Sequence, residues 1–318
     1  MRPRLWWVFL PVIAGPVQAQ NPTCDLVRLV SGRVANLCDG AIDGTRAFHP
    51  VAGLLVSGGN PVLRTQSGGD GLGRFALAVR ANTARVQLPD LSYDGSTETV
   101  PAGQRLLFIA TLVEGSAGLH AVPGRVALEA LASAQLLPTG QVEDLEVVPG
   151  GAHLGSAALG LGFGGRATVT LAPSLPALSL SVMRRSVPRV QYGNITNPLE
   201  EFQYAIDLTA VNFRLAASQR FGGFALAGGL GYDRYTGDAD IAVREPNLPI
   251  DLVGTVRIEL EASRWMLFAN PSLEAGPLQV TGELGYQLPR SQDLATTFER
   301  FDPSSGRLFG GLGLRVDF

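Results

Sequence analysis

Over the last dozen residues of the chain, apolar and polar positions alternate with a period of two. Leu308, Gly310, Leu312, Leu314, Val316 and Phe318 share one face. Arg307, Gly311, Gly313, Arg315 and Asp317 share the other, with Phe309 the exception. Successive side chains of a strand point to opposite faces, so this spacing predicts a strand with one apolar side and not a helix. Three further segments repeat the pattern. Leu278, Val280, Leu284, Tyr286 and Leu288 oppose Gln279, Thr281, Glu283 and Gln287. Leu252, Val256, Ile258 and Leu260 oppose Thr255, Arg257, Glu259 and Glu261. In 156–171, Ala157, Leu159, Leu161, Phe163, Ala167, Val169 and Leu171 oppose Ser156, Arg166, Thr168 and Thr170. Strands with interruptions are predicted over 73–89, 104–116, 124–136, 177–192, 202–219 and 222–238. In 202–219 the apolar face slips from Phe202, Tyr204, Ile206 and Leu208 to Val211, Phe213 and Leu215. A β-bulge near Thr209 would explain the slip.

The connections carry separate information. Counting back from the last strand, long polar loops (289–306, 239–251, 193–201, 137–154, 90–103) alternate with short turns (274–277, 219–222, 172–176, 117–123). Membrane barrels of bacteria pair short periplasmic turns with longer outer loops and use an even number of strands. The rhythm predicts an all-β chain forming a transmembrane antiparallel up-and-down β-barrel of about ten strands. Twelve to fourteen is the alternative if residues 51–58 form a strand and not a short helix. A soluble secreted β-sandwich also predicts alternating strands, but not this loop asymmetry.

The first twenty residues read MRPRLWWVFLPVIAGPVQAQ. Arg2 and Arg4 precede an apolar run from Leu5 to Ala14, and Val17 and Ala19 supply small residues before a cleavage point. Ten apolar residues are too few to span a bilayer, which takes roughly 20. Residues 1–19 are therefore expected to be a cleaved signal peptide, 20–72 a periplasmic or lumen-filling segment, and 73–318 the barrel. Cys24 and Cys38 are the two cysteines. In an exported chain a disulfide is the default reading for such a pair.

The ending Leu-Arg-Val-Asp-Phe, with Leu312, Leu314, Val316 and Phe318 at alternate positions, resembles the C-terminal signature of bacterial outer-membrane β-barrel proteins. That resemblance implies residence in the outer membrane, contact with its lipid, and insertion by the barrel-assembly machinery, which reads the last strand. A looser similarity, one of architecture, runs to FadL-like and PorV-like barrels, whose N-terminal segments lie in or near the lumen.

Composition narrows the function. Charged residues make up only 17% of the chain and the formal net charge is −3. No basic block exists to neutralise phosphates, so no nucleic-acid partner is expected. Arg74, Arg80, Arg166, Arg257, Glu259, Glu261, Glu283 and Arg315, with Glu129, Asp207 and Asp317, oppose the apolar faces and are expected in the lumen. There they would either pair and lock strands together or line a selective pore. Girdle candidates are Phe75, Phe163, Tyr192, Tyr204, Phe224, Tyr232, Tyr286 and Phe318. His153 with Ser156 is the one close pairing that could suggest a hydrolase, and it lacks a nucleophile motif. His49 and His120 are assigned to turns without metal-ligand spacing. Gly68–Gly73 and Gly160–Gly165 lack the Lys and Ser/Thr of a phosphate loop. The expectation is a non-catalytic barrel, without cofactor or metal, in a structural or passive solute-transport role. The alternative is a secretion or surface-attachment accessory.

Overall fold

The computed structural model describes residues 21–29, 31–63, 73–122, 125–172, 174–245 and 252–318. The expected signal peptide, residues 68–72 of the glycine run and the tip of the 239–251 loop lie outside the described residues. Among those described, ten long strands form one closed antiparallel barrel: β1 (Phe75–Pro89), β2 (Ala102–Val122), β3 (Val126–Pro138), β4 (Ala157–Val169), β5 (Ala177–Tyr192), β6 (Phe202–Phe221), β7 (Phe224–Glu245), β8 (Leu252–Ala275), β9 (Leu278–Gln287) and β10 (Arg307–Asp317). Each strand pairs with its sequence neighbours, and β1 pairs with β10 from Ala76↔Asp317 to Ala84↔Phe309, which closes the ring. Closure leaves no open edge over the paired height, the condition for a sheet in lipid. Shorter strands, Leu145–Val147, His153–Leu154 and a parallel Thr99–Val100/Thr297–Phe298 pair, build up the long-loop end.

A second element fills the barrel. After the one-turn helix α1 (Asp25–Arg28), the 26-residue helix α2 (Gly32–Ser57) runs from the long-loop end down into the lumen. The Ser31 hydroxyl caps it by accepting from the Val34 amide at 3.4 Å. Of its 26 residues, 22 are buried. A helix so enclosed has no polar face to show, which is why its sequence carries little amphipathic pattern. Residues 51–58 are thus the end of this helix, and His49 lies within it, buried, not in a turn.

The filled lumen divides the wall into two zones with opposite patterning. Toward the short turns, outward residues are apolar: Leu77, Val79, Leu178, Leu180, Leu226, Leu312 and Leu314 are all exposed there. Their inward neighbours are small or polar, among them Ala78, Arg80, Ser181, Ala225, Ala227 and Arg315. Toward the long loops the pattern inverts. Tyr204, Ile206, Ile241 and Leu260 point inward and pack in one core with Leu37, Phe48, Val51 and Leu55 of α2. Burying each such side chain contributes about 1.5–3 kcal/mol.

This inversion corrects several expectations. In β8, Val256, Ile258 and Leu260 face the plug, so Arg257, Glu259 and Glu261 face outward and are exposed. Arg257 pairs there with Asp238, and Glu261 with Arg234. Asp207 is likewise outside the lumen wall, beside Arg189. Arg74 sits exposed before the first residue of β1. The apparent slip in 202–219 needs no bulge at Thr209, because inward parity stays even from Phe202 to Ser218. What changes is which side of the wall is apolar. The register shift that does occur is in β5, between Val187 and Val190, opposite Leu208 and Ile206. Phe309, the exception in the last strand, is an inward core residue.

Candidate functional site

The polar half of the lumen receives the end of α2 and the turn after it. In Ser57–Val62 the chain leaves the helix through Gly58, at φ 58°, a conformation open chiefly to glycine. The Gly58 amide still donates to the Leu54 carbonyl at 2.9 Å, but the carbonyls from Ser57 on and the amides from Gly59 on are left to find partners outside the helix, and burying them unbonded would cost about 1–3 kcal/mol each. The barrel wall supplies the partners. Arg80 of β1 donates to the carbonyls of Ser57 at 2.9 Å and Asn60 at 3.1 Å. Arg214 of β6 donates to those of Gly58 at 2.7 Å and Gly59 at 2.8 Å. Arg166 of β4 reaches the Pro61 carbonyl, and Arg315 of β10 that of Val62 at 3.1 Å. Glu283 of β9 accepts from the amides of Gly59 at 2.8 Å and Asn60 at 3.0 Å, and Glu114 of β2 from Val62 at 2.8 Å.

These wall groups also pair with one another. Glu114 lies 3.2 Å from Arg80 and 2.8 Å from Arg185 of β5. Asp233 of β7 lies 2.5 Å from Arg214 and accepts from Asn212 and from the Tyr235 hydroxyl. Arg166 approaches Glu129 at 3.7 Å, and Arg315 binds Asp317. Arg80, Arg185, Arg214 and Arg315 are among the largest fully buried side chains described. The result is a charge-balanced collar, drawn from strands around the ring, that grips one short segment of backbone. Guanidinium groups suit this task because their fork of donors can serve a carbonyl and a carboxylate together.

Of the residues predicted for the lumen, the collar brings together Arg80, Arg166, Glu283, Arg315 and Glu129. The outward Arg257, Glu259 and Glu261 and the exposed Arg74 are not part of it. Glu114, Arg185, Arg214 and Asp233 were missed: Arg214 lies between the exposed Phe213 and Leu215, the signal that found Arg80, but Arg185 is flanked by Arg184 and Ser186, and Asp233 has Arg234 beside it. At the other end of the plug, Cys24 and Cys38 are bridged, tying the residues before α1 to the first turns of α2. His153 and Ser156 are both exposed, and the histidine Nδ1 is occupied by the Gly151 carbonyl at 2.9 Å.

Outside the collar runs an apolar belt between two aromatic rows. Phe75, Phe221, Phe224 and Phe318 are exposed near the short turns. On the other side of the belt Tyr232 packs on Trp265, with ring centroids 5.0 Å apart, and on Phe213 at 6.4 Å. Eight residues separate Phe224 from Tyr232, about 20 Å of height for a strand tilted by roughly 40°. Tyr192 and Tyr204, expected in a girdle, instead point inward and pack near Phe48 of α2. A closed barrel with this belt, aromatic rows and loop asymmetry is a transmembrane β-barrel of the outer-membrane type.

No family model matches the chain, and neither does any curated protein. Among solved structures it is similar to the translocator domain of the autotransporter NalP from Neisseria meningitidis, at 10% identity and a TM-score of 0.35 over 90% of this chain and 99% of that one. It is also similar to the toluene transporter TodX of Pseudomonas putida, at 12% identity and a TM-score of 0.30 over 83% and 92% of the two chains. A third is the transport unit of the autotransporter AIDA-I from Escherichia coli, at 10% identity and a TM-score of 0.29 over 89% and 99%. The likeness is one of fold.

Proposed function

We propose that the protein is a sealed outer-membrane barrel, non-catalytic, that serves as a surface-attachment or secretion accessory and not as an open solute pore. The observation that carries this reading is the occupied lumen, with α2 enclosed along its length and the Ser57–Val62 turn held by the collar. A passive pore needs a continuous wet path, and the plug takes that space. With export through a signal peptide at residues 1–19 and short turns toward the periplasm, the usual orientation of such barrels, the start of α2 faces the cell exterior. The disulfide-tied N-terminal segment then forms a cap among the outer loops. That rim is the surface offered to a partner. Outer-membrane lipid and the barrel-assembly machinery are the contacts this residence requires.

Planar-bilayer recording on the purified full-length protein tests the proposal. Quiet membranes, with no steady conductance steps, are expected. Stable porin-like steps would return the reading to passive transport. An epitope inserted after Gln20 should be stained on intact cells, and staining only after permeabilisation would reverse the orientation.

A further inference from the structure

Beside α2 at the long-loop end lies a half-open cavity of about 570 Å3, lined by the helix, by the stretch of β8 from Glu259 to Arg264, and by the loop 290–294. This stretch of β8 rises above its pairing with β9, which begins at Met266. One side of the strand is therefore free to line a chamber.

One cation on this cavity is buried and only partly matched. Arg264 is 2% exposed, and its Nη2 has no hydrogen-bond partner among the described residues. Its Nη1 has only a long contact, 3.3 Å, with the Ser263 carbonyl. Arg264 makes no ion pair among the described residues, whereas buried arginines of the collar such as Arg80 and Arg214 do. A guanidinium withdrawn from water without a counter-ion is strongly unfavourable. The charges nearby do not relieve it. Arg290, anchored to Ser263 at 3.2 Å, adds a second cation, and Arg46 at the helix side adds a third. Arg46 is engaged by Asn21 at 2.5 Å and Asp43 at 3.4 Å. Of the acids on the lining, Glu261 is taken by Arg234 at 2.9 Å on the outer surface. Glu259 faces outward, and Asp293, exposed on the lining loop, makes no ion pair among the described residues.

We infer that this cavity is a binding site for a small oxyanion, a phosphate or carboxylate group, with Arg264 as its central ligand and Arg290 as a supporting donor. A planar guanidinium with free donors matches two oxygens of such a group. The chamber is large enough for a phosphorylated or polycarboxylated solute, or for the head group of a lipid entering beside the unpaired edge of β8. The oxyanion is common to both sources.

Calorimetric titration of the full-length protein in detergent tests the site. The probes are inorganic phosphate, succinate and dihexanoyl phosphatidic acid, each at matched ionic strength. Saturable binding of at least one is expected, at least tenfold weaker in Arg264→Gln and in Arg290→Gln and unchanged in Arg257→Gln, whose side chain is on the outer surface. Binding of phosphatidic acid alone would identify a lipid as the source, and binding of phosphate or succinate a free solute. Heat-dependent gel mobility reports whether each variant is folded. Should Arg264→Gln not fold, the Arg290→Gln comparison and the thermal stabilisation of the wild type by the same probes decide the matter. No saturable binding by any probe, or equal affinity in the folded arginine variants, would overturn the inference.

Discussion

Glu283→Gln is the sharpest probe of the collar, because it keeps the shape of the side chain and removes only its charge and one acceptor. In the wild type each carboxylate oxygen has its own work. Oε1 accepts from the Gly59 amide at 2.8 Å, while Oε2 accepts from Asn60 at 3.0 Å and from Asn270 at 3.0 Å. Arg80 stands 3.6 Å away. In the variant one of these oxygens becomes an NH2 group facing a backbone N–H, leaving a buried donor unmatched at about 1–3 kcal/mol. Arg80 also loses its second carboxylate and is left with Glu114, which Arg185 already shares, and breaking a buried pair costs about 3–5 kcal/mol. The two effects overlap, so a total of about 4 kcal/mol is expected, close to a thousandfold in the equilibrium between docked and released turn. Urea unfolding in detergent, followed by Trp265 fluorescence and by gel mobility, should show the loss. Bilayer recordings of the variant should show gating events that the wild type lacks. Glu261→Gln is the control, since its pair with Arg234 is exposed and worth at most about 1 kcal/mol. A Glu283→Gln midpoint shift no larger than that of the control, with silent bilayers, would refute the role given to the collar.

Other predictions concern the plug. Burial lowers the pKa of His49 to about 4, against a hydrogen bond with the Thr236 backbone and the charge of Asp207, which both favour its protonation. Below pH 6.5 the unfolded chain takes up a proton that the folded one refuses. Stability is therefore full above that pH and falls as pH drops toward 4, by on the order of 3 kcal/mol; chemical-denaturation midpoints across this range should flatten in His49→Asn. Gly53→Ala should destabilise by about 1–3 kcal/mol despite the better helix propensity of alanine, because the new Cβ would lie 2.4 Å from the Tyr235 ring. A thermal melt that rises instead would mean the helix is not seated against β7. Replacing Cys24 and Cys38 by serine removes a cross-link across 14 residues, worth roughly 3 kcal/mol. Limited proteolysis should then cut near Arg28 and Arg33 before the barrel loses its heat-dependent mobility.

The barrel was legible because lipid and water impose a period of two on the lower wall, and charges such as Arg80, Arg166 and Arg315 fall at regular alternate positions. The plug was not. Its helix is buried on nearly every side, so the periodic stripe that marks a surface helix is missing, and Pro50 with four glycines from Gly32 to Gly53 argues locally against a helix. Misplacing Arg257, Glu259 and Glu261 followed from the same blind spot. Alternation gives two faces but not which of them is inside, and the answer reverses where an unseen helix replaces lipid as the apolar neighbour. Arg214 and Asp233 belong to strands whose apolar face changes side midway, and a single-face reading passed over them.

The collar also bears on the order in which the molecule is made. The seam joins the first barrel strand to the last, pairing Ala76 with Asp317, residues separated by nearly the whole barrel sequence. Contacts so distant along the chain are entropically costly and form slowly. Both seam strands grip the plug, Arg80 through the Ser57 and Asn60 carbonyls and Arg315 through that of Val62. A turn bound to β1 before the seam pairs would present β10 with a half-built mate, a template for closing the ring. It cannot be threaded in afterwards without reopening that seam, and a barrel closed without it would carry five buried arginines around an empty bore.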